Sequence, residues 1–142
     1  MSSECIFCRI VAGELPCAKV FEDDDTIVFM DIAPVVKGHA LIVPKQHSES
    51  IHDTPDDTLR KLITVVRRVA DAQVSGLGAD GVNVTQANGG VAGQVVSHIH
   101  FHAIPRFAGD GHSWNWRQLK YDNPEEMSAC AGKISAELHR QD

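Results

Sequence analysis

The segment 97–105, SHIHFHAIP, constrains the fold more than any other stretch of the chain. Three histidines alternate in it with apolar residues, and a period of two is the pattern of a β-strand. We therefore expect one strand face to carry the imidazoles of His98, His100 and His102. The other face, beginning with Ile99, should enter a core.

The spacing of these histidines limits what they can do together. Same-face neighbours on a strand are about 6.6 Å apart, so the first and third rings are separated by roughly 13 Å. The three rings cannot all bind one small atom unless the strand bends sharply, so each needs a different role. Two other interpretations stay open at this point: a polar strand face without function, and a three-histidine metal site on a bent strand.

Length and composition are those of an ordinary globular protein. The chain has 142 residues, of which 43% are hydrophobic and 23% charged, so we expect a single domain over 1–142. No apolar run approaches the ~20 residues of a membrane span, and the first residues lack the pattern of a signal peptide. These features predict a cytoplasmic protein without a membrane partner. The net charge of −6 argues against nonspecific nucleic-acid binding but permits a small nucleotide ligand.

The order of apolar runs and turn residues predicts an α+β fold. Five strands are expected at 19–22, 26–30, 40–43, 82–87 and in the histidine segment. Helices are expected at 5–12, from an N-cap at Thr54 to the glycines at 76 and 78, and at 124–140. The last helix should have an apolar side made of Met127, Cys130, Ala131, Ile134 and Leu138. Together these elements predict a five-stranded antiparallel sheet with helices on one side.

Two local motifs indicate binding sites. Cys5 and Cys8 have the spacing of a metal knuckle, which two more ligands would close into a structural tetrahedral zinc site. The candidates for those ligands are His39, His47, His98, His100, His102 and Cys17, and two buried free thiols are the alternative. The glycine-rich loop 88–94, NGGVAGQ, precedes the histidine segment, and its backbone N–H groups could converge on an anion.

The histidine segment, HIHFHAIP, resembles the signature of the histidine triad family. The N-terminal CIFCRIVAGELP, together with the MDIAP, GH, VPK and AGQ motifs that follow in order, is similar to its Hint-like branch, particularly to the zinc-containing microbial members. The match spans roughly residues 4–107, which leaves 108–142 as a C-terminal extension with a helix. The resemblance implies a homodimer in which two five-stranded sheets join into one.

The resemblance also implies a reaction. Family members hydrolyse or transfer at the α-phosphate of purine nucleotides, usually adenosine phosphoramidates, through a nucleotidyl-histidine. Dinucleoside polyphosphates, which are more typical of the Fhit-like branch, are an alternative substrate. A weakly active nucleotide-binding interaction module and a zinc-scaffolded domain without a ligand are the two alternatives from other classes of protein.

Matched position by position, the resemblance assigns roles to named residues. His100 matches the nucleophile, and His102 and His39 match imidazoles that line the phosphate site, one of which we expect to be protonated. The other nucleotide contacts are implied at Asp31 for the ribose, Ile32 beside the base, and Asn88, Gly93 and Gln94 in the phosphate loop. The four zinc ligands are implied at Cys5, Cys8, His47 and His98.

The chain departs from the family pattern at Val95. Family members usually carry Ser or Thr directly after Gly-Gln, where the hydroxyl contacts the phosphate or the leaving group. Ser97 is expected on the core-facing side with Ile99 and is therefore a poor substitute. The departure predicts a changed substrate preference or a slower reaction.

Overall fold

Five strands form one antiparallel sheet in the order β1-β2-β3-β5-β4. The computed structural model describes residues 4–113 and 115–142. The strands are β1 (Lys19–Glu22), β2 (Thr26–Met30), β3 (Ala40–Pro44), β4 (Gly81–Thr85) and β5 (Phe101–Arg106). The chain divides into two compact units, one ending at Asp110 and the other spanning Gly111–Asp142.

The described residues form three α-helices: α1 (Ile6–Val11) and α2 (Asp56–Leu77) in the unit that contains the sheet, and α3 (Pro124–His139) in the C-terminal unit. The long helix α2 ends at Gly78, which adopts the left-handed conformation with φ +71°. The prediction of Thr54 as its N-cap is wrong, because Pro55 is the capping residue and adds no side-chain hydrogen bond. Thr54 instead donates its hydroxyl proton to the Ser50 carbonyl at 2.6 Å, within the turn that precedes the helix.

The central strands are buried on both faces, which explains their uninterrupted apolar sequences. One face carries Val28 and Ile42, which pack against the apolar stripe of α2. The opposite face carries Ile27, Phe29, Leu41 and Val43, which pack with Phe7 of α1. The predicted α+β fold with a five-stranded antiparallel sheet is confirmed, and the short helix α1 adds cover on the face opposite α2.

The histidine segment is only partly a strand. Strand β5 begins at Phe101, and the chain bends at 96–98, so of the three histidines only His102 lies in the sheet. The expectation of three imidazoles on one regular strand is therefore wrong. The backbone N–H of Ile99 donates to the Ser48 carbonyl at 2.9 Å, outside the sheet ladder. Ile99 is buried as expected, whereas Ser97 is exposed and does not share its side.

The C-terminal unit contains α3, whose N-cap Asn123 accepts a hydrogen bond from the Glu126 N–H at 2.8 Å. The apolar side predicted for this helix is not buried: Met127, Ile134 and Leu138 are all more than half exposed. Periodicity therefore predicted the helix but not its burial. Among the residues that the structure describes, no helix has the length and apolar character needed to cross a membrane.

Candidate active site and metal centre

The bend before β5 sends the three histidines into different environments. His98 lies close to Cys5, Cys8 and His47. His102 instead contacts His39, the residue that directly precedes β3. His100 lies between the two groups, with its ring 4.9 Å from that of His102. The inference that the three imidazoles have different roles therefore agrees with the geometry.

The first group has the dimensions of a tetrahedral metal site. The sulfur-to-nitrogen distances are 3.3 Å from Cys5 Sγ to His98 Nδ1 and 3.4 Å from Cys8 Sγ to His47 Nδ1. The two Nδ1 atoms are 3.1 Å apart. Zinc bond lengths with tetrahedral angles give separations of about 3.3 Å between two nitrogens and about 3.5 Å between nitrogen and sulfur. The four ligand atoms therefore surround a space of the right size for zinc.

The hydrogen bonding of His98 supports a metal at this position. Its Nε2–H donates to the Pro44 carbonyl at 2.8 Å, so in the neutral ring the lone pair is on Nδ1, facing the two sulfurs. Ligating histidines are commonly oriented by such a bond from the other ring nitrogen. His98 is fully buried. A group of converging lone pairs with few protons is stabilised by a cation, so these residues fit a structural zinc.

His100 is oriented with its two ring nitrogens in the opposite roles to those of His98. Its Nδ1–H donates to the His98 carbonyl at 2.7 Å, which leaves the lone pair on Nε2. The ring is 8% exposed and packs edge-on against Phe7, with centroids 5.0 Å apart. Burial lowers the pKa of His100, while the bond to the His98 carbonyl opposes this shift. A neutral imidazole with an available Nε2 is a competent nucleophile.

His39 and His102 form a hydrogen-bonded pair beside Asp31. The Val35 N–H donates to His39 Nδ1 at 3.1 Å, so the ring proton of neutral His39 is on Nε2. That nitrogen lies 2.9 Å from His102 Nδ1 and 3.6 Å from Asp31 Oδ2. A metal bound by Asp31, His39 and His102 would need a lone pair on His39 Nε2, but that nitrogen carries the ring proton. The arrangement is therefore a hydrogen-bonded chain and not a second metal centre.

Burial controls the charge of this pair. It lowers the pKa of His102 to about 4, an effect to which the neighbouring His100 and His39 add. It also lowers the pKa of His39, although Asp31 opposes the shift. Both shifts favour neutral rings in the free protein. The protonated imidazole expected during the reaction would have to form when a phosphate anion binds, because an opposite charge nearby favours the charged form.

A pocket of about 570 Å³ opens beside these histidines. His100 and His102 line it together with Asp31, Ile32 and Gly93, so it contains most of the predicted nucleotide contacts. Val95 also lines it and is 92% exposed. Much of the remaining wall is apolar and comes from residues that sequence reasoning missed: Ile6, Phe7, Ile10, Leu15, Pro16, Cys17, Phe29 and Leu41. Those in α1 have the helical spacing of ordinary core residues. The sequence therefore gave no signal that they line a pocket.

Two predicted contacts have another use in the structure. Asn88 Oδ1 accepts a hydrogen bond from the Ile51 N–H at 2.7 Å. The Gln94 side chain accepts from the Gly89 N–H at 2.8 Å and donates to the carbonyls of Glu49 and Val96. Neither side chain is among those lining the pocket. Both hold the glycine-rich loop in shape, and Gly93, with φ +100°, brings its backbone to the pocket.

Residues 12–109 match the HIT domain family model. The chain belongs to the HIT family. Adenosine 5'-monophosphoramidase hnt1 of Schizosaccharomyces pombe is 39% identical over 137 residues, which cover 94% of this chain and 98% of the relative. The family resemblance is thereby confirmed, and the chain is an enzyme of the hydrolase class.

Two solved structures have folds similar to that of this chain. The SMU.412c protein of Streptococcus mutans has a TM-score of 0.91 and 35% identity, over 97% of this chain and 87% of that one. A zinc-bound histidine triad family protein of Mycobacterium smegmatis has a TM-score of 0.75 and 34% identity, over 94% of this chain and 96% of that one.

The lowered pKa of His102 predicts a stability that depends on pH. Between the folded pKa of about 4 and the usual value of 6.5, the unfolded chain binds a proton that the folded chain does not. The stabilisation is therefore fully present above about pH 6.5 and is lost as the pH falls towards 4. One such proton contributes at most about 1.4 kcal/mol per pH unit to the slope of the unfolding free energy.

His102→Asn should make that slope shallower, because asparagine can accept the His39 bond but does not titrate. Urea unfolding at several pH values measures the slope, and His52→Asn, at an exposed position, is the matched control. Equal slopes in wild type and His102→Asn would contradict the prediction.

Proposed function

We propose that this protein hydrolyses purine nucleoside phosphoramidates, adenosine 5'-phosphoramidate in particular, at the α-phosphorus. The observation that carries the proposal is the orientation of His100 at the pocket. Its Nδ1–H is held by the His98 carbonyl, which leaves Nε2 as the nucleophilic atom. The reaction named for the S. pombe relative agrees with this chemistry.

The pocket supplies separate regions for the parts of such a nucleotide. The apolar wall from α1 and the neighbouring Leu15–Cys17 stretch fits a purine base, with Ile32 beside it. The Asp31 carboxylate would accept hydrogen bonds from the ribose hydroxyls. Gly93 brings backbone to the phosphate, in line with the preference of converging N–H groups for anions.

The proposed reaction has two steps. His100 Nε2 attacks the α-phosphorus, forming a P–N bond to the ring and breaking the P–N bond to the amine, which departs with a proton. Water then attacks the same phosphorus, giving the nucleoside monophosphate and restoring neutral His100. In both steps, the protein mainly positions the groups and stabilises charge. His102, which accepts from His39 at Nδ1, carries its proton on Nε2 and can donate a hydrogen bond from it to a phosphate oxygen. A neutral imidazole does not release this proton, so the departing amine takes its proton from water.

We also propose that the metal held by Cys5, Cys8, His47 and His98 is zinc and that its role is structural. The donor set of two thiolates and two imidazoles, together with the fitting distances, supports the choice of metal. The zinc would tie α1 to the segment that precedes β5. It would not touch the reacting atoms.

The proposal extends to a homodimer in the cytoplasm. The sheet ends in β1 and β4, and the register of β1 is interrupted between Lys19 and Phe21, whereas β4 pairs regularly with β5. A regular edge such as β4 is the better surface for joining two sheets. The four cysteines are free thiols, as expected in a reducing compartment.

A second candidate function is a weakly active nucleotide-binding module. Val95 favours it, because its side chain lies exposed at the pocket where family members have a hydroxyl. Incubation with an adenosine phosphoramidate distinguishes the two functions, since an enzyme turns it over and a module binds it unchanged. Dinucleoside polyphosphates in the same assay test the alternative substrate class.

Metal analysis tests the proposed centre. Protein purified without a chelator should contain roughly one zinc per chain, as a closed four-ligand site binds one ion. Cys5→Ser should lose the zinc and lower the melting temperature, because a structural metal contributes folding energy. Cys130→Ser, at an exposed position outside the cluster, should retain both. Zinc-free wild type with intact thiols would contradict the assignment.

Trapping the intermediate tests the nucleophile. Rapid quenching of enzyme with an adenosine phosphoramidate should add one nucleotidyl group to the peptide that contains residues 98–102. His100→Ala should lack the adduct and lose nearly all turnover, because the variant has no Nε2 lone pair to attack the phosphorus. Retention of near-normal turnover by this variant would place the nucleophile elsewhere.

The third prediction concerns the leaving group. An alkylamine needs a proton as it departs, and a hydroxyl at position 95 can donate or relay one, whereas valine cannot. One absent donor of this kind can cost about 10²-fold in rate. Val95→Ser should therefore raise kcat/KM for an alkylamine phosphoramidate more than for a substrate whose leaving group needs no proton. The comparison uses two substrates that differ only in leaving-group pKa, and equal effects on both would refute the interpretation.

A further inference from the structure

Gln73 is a buried polar residue on the apolar face of α2, far along the chain from the site residues. It is 5% exposed and lies in the core-facing stripe of α2 that includes Val66 and Val69. Its Nε2 donates to two backbone carbonyls, that of Gly38 in the turn before β3 at 3.0 Å and that of Ala103 in β5 at 2.9 Å. Because both partners can only accept, the amide orientation is fixed, and both Nε2 protons are used.

The Gly38 carbonyl lacks its usual partner because of a proline. The register pairs Ala40 with Ala103, which places Gly38 opposite Pro105 two positions further along. The His39 carbonyl accepts from the Asp31 N–H, on the β2 side. Gly38 lies in the turn just before β3, where continuing the strand alternation would direct its carbonyl towards β5. Pro105 has no N–H to donate. The Gln73 amide therefore supplies the ladder hydrogen bond that Pro105 cannot.

The space around Gly38 agrees with this pairing. A Cβ at Gly38 would lie 2.9 Å from Pro105 Cγ and 2.7 Å from Leu77 Cδ1, so the Pro105 and Leu77 side chains pack closely against the Gly38 backbone. Gly38 also has φ +105°, a conformation that favours glycine. The chain therefore enters β3 through a tight turn that a glycine accommodates, and hydrogen bonds hold that turn in place.

The two carbonyls that Gln73 binds are adjacent to the two paired histidines. Gly38 directly precedes His39, and Ala103 directly follows His102. We propose that Gln73 is a positioning residue that fixes the ends of β3 and β5 relative to each other and so sets the 2.9 Å contact between His39 Nε2 and His102 Nδ1. Gln73 lies on the α2 side of the sheet and acts on the reaction only through these two backbones.

The other end of the amide supports this role. Gln73 Oε1 is buried and has no hydrogen-bond partner among the described residues. Leaving a buried acceptor unpaired costs about 1–3 kcal/mol, which an apolar side chain at this position would avoid. Gln73 therefore lowers the stability of the fold relative to an apolar residue. In exchange it donates two hydrogen bonds that an apolar residue could not.

The expected effect of Gln73 on kcat rests on the proposed function. Its effect on the contact between His39 and His102 does not. Gln73→Met keeps the length of the side chain and removes both N–H groups. We expect kcat for an adenosine phosphoramidate to fall by about tenfold or more, because small misplacements of groups around the reacting centre have large effects on rate. KM should change by less than about twofold, since no α2 residue is among those that line the pocket.

Three further variants separate positioning from stability. Val69→Ala weakens the same buried face of α2 but retains the amide, so its kcat should stay within about twofold of wild type. Gln73→Asn keeps an amide too short to reach both carbonyls and should behave like Gln73→Met, which covers the case in which the methionine variant does not fold. Pro105→Val in the Gln73→Met background restores a backbone N–H opposite Gly38, so kcat should recover by at least about threefold.

A second readout does not depend on turnover. Ring ¹⁵N shifts report the tautomer and hydrogen bonding of His39 and His102. Gln73→Met and Gln73→Asn should change these shifts, whereas Val69→Ala should preserve them. If wild type shows no phosphoramidase activity, the proposed function fails while the shifts still decide the role of Gln73.

The role would be overturned by unchanged kcat and unchanged shifts in the Gln73 variants, or by an equal loss of kcat in Val69→Ala. It would also be overturned if Pro105→Val alone were active and the double variant recovered nothing.

Discussion

Hydrogen bonds from imidazole N–H groups to backbone carbonyls determine how this site is used. His98 gives its Nε2–H to Pro44, and His100 gives its Nδ1–H to His98. Two residues apart in sequence, the rings therefore present opposite nitrogens, one to the cysteine cluster and one to the pocket. The backbone, through its bend at 96–98, decides which histidine can bind a metal and which can react.

The strands were predictable because their chemistry is local. The sequence Thr26–Met30 is apolar at most positions, and the sheet buries its first four residues completely or nearly so. The bend before β5 was not predictable, because alternation of polar and apolar residues is also compatible with a chain that leaves the ladder. What decides it is distant: the N–H of Ile99 bonds to Ser48, far back in the chain.

The candidate site was predictable where residue type carries the chemistry. Thiolates and imidazoles are rare enough that Cys5, Cys8 and the histidines could be singled out from motif and resemblance. Residues that act by position gave no such signal. In the sequence, Gln73 is a polar residue within an apolar helical stripe. Its hydrogen-bond partners are backbone carbonyls, and a pattern of side chains cannot reveal such partners. Asn88 also acts on a backbone group, because its Oδ1 accepts a hydrogen bond from the Ile51 N–H in a neighbouring turn.

Helix α1 belongs to two sites at once. Cys5 at its start and Cys8 within it face the metal cluster, while Ile6 and Ile10 line the pocket. Phe7 contacts the rings of both His98 and His100. Under the proposed function, a metal at the cluster and a nucleotide in the pocket would both contact this one and a half turns of helix, so their affinities would be coupled, and such coupling is reciprocal. Removal of the metal would then disturb the pocket wall through α1 and His100 through the His98 carbonyl that orients it.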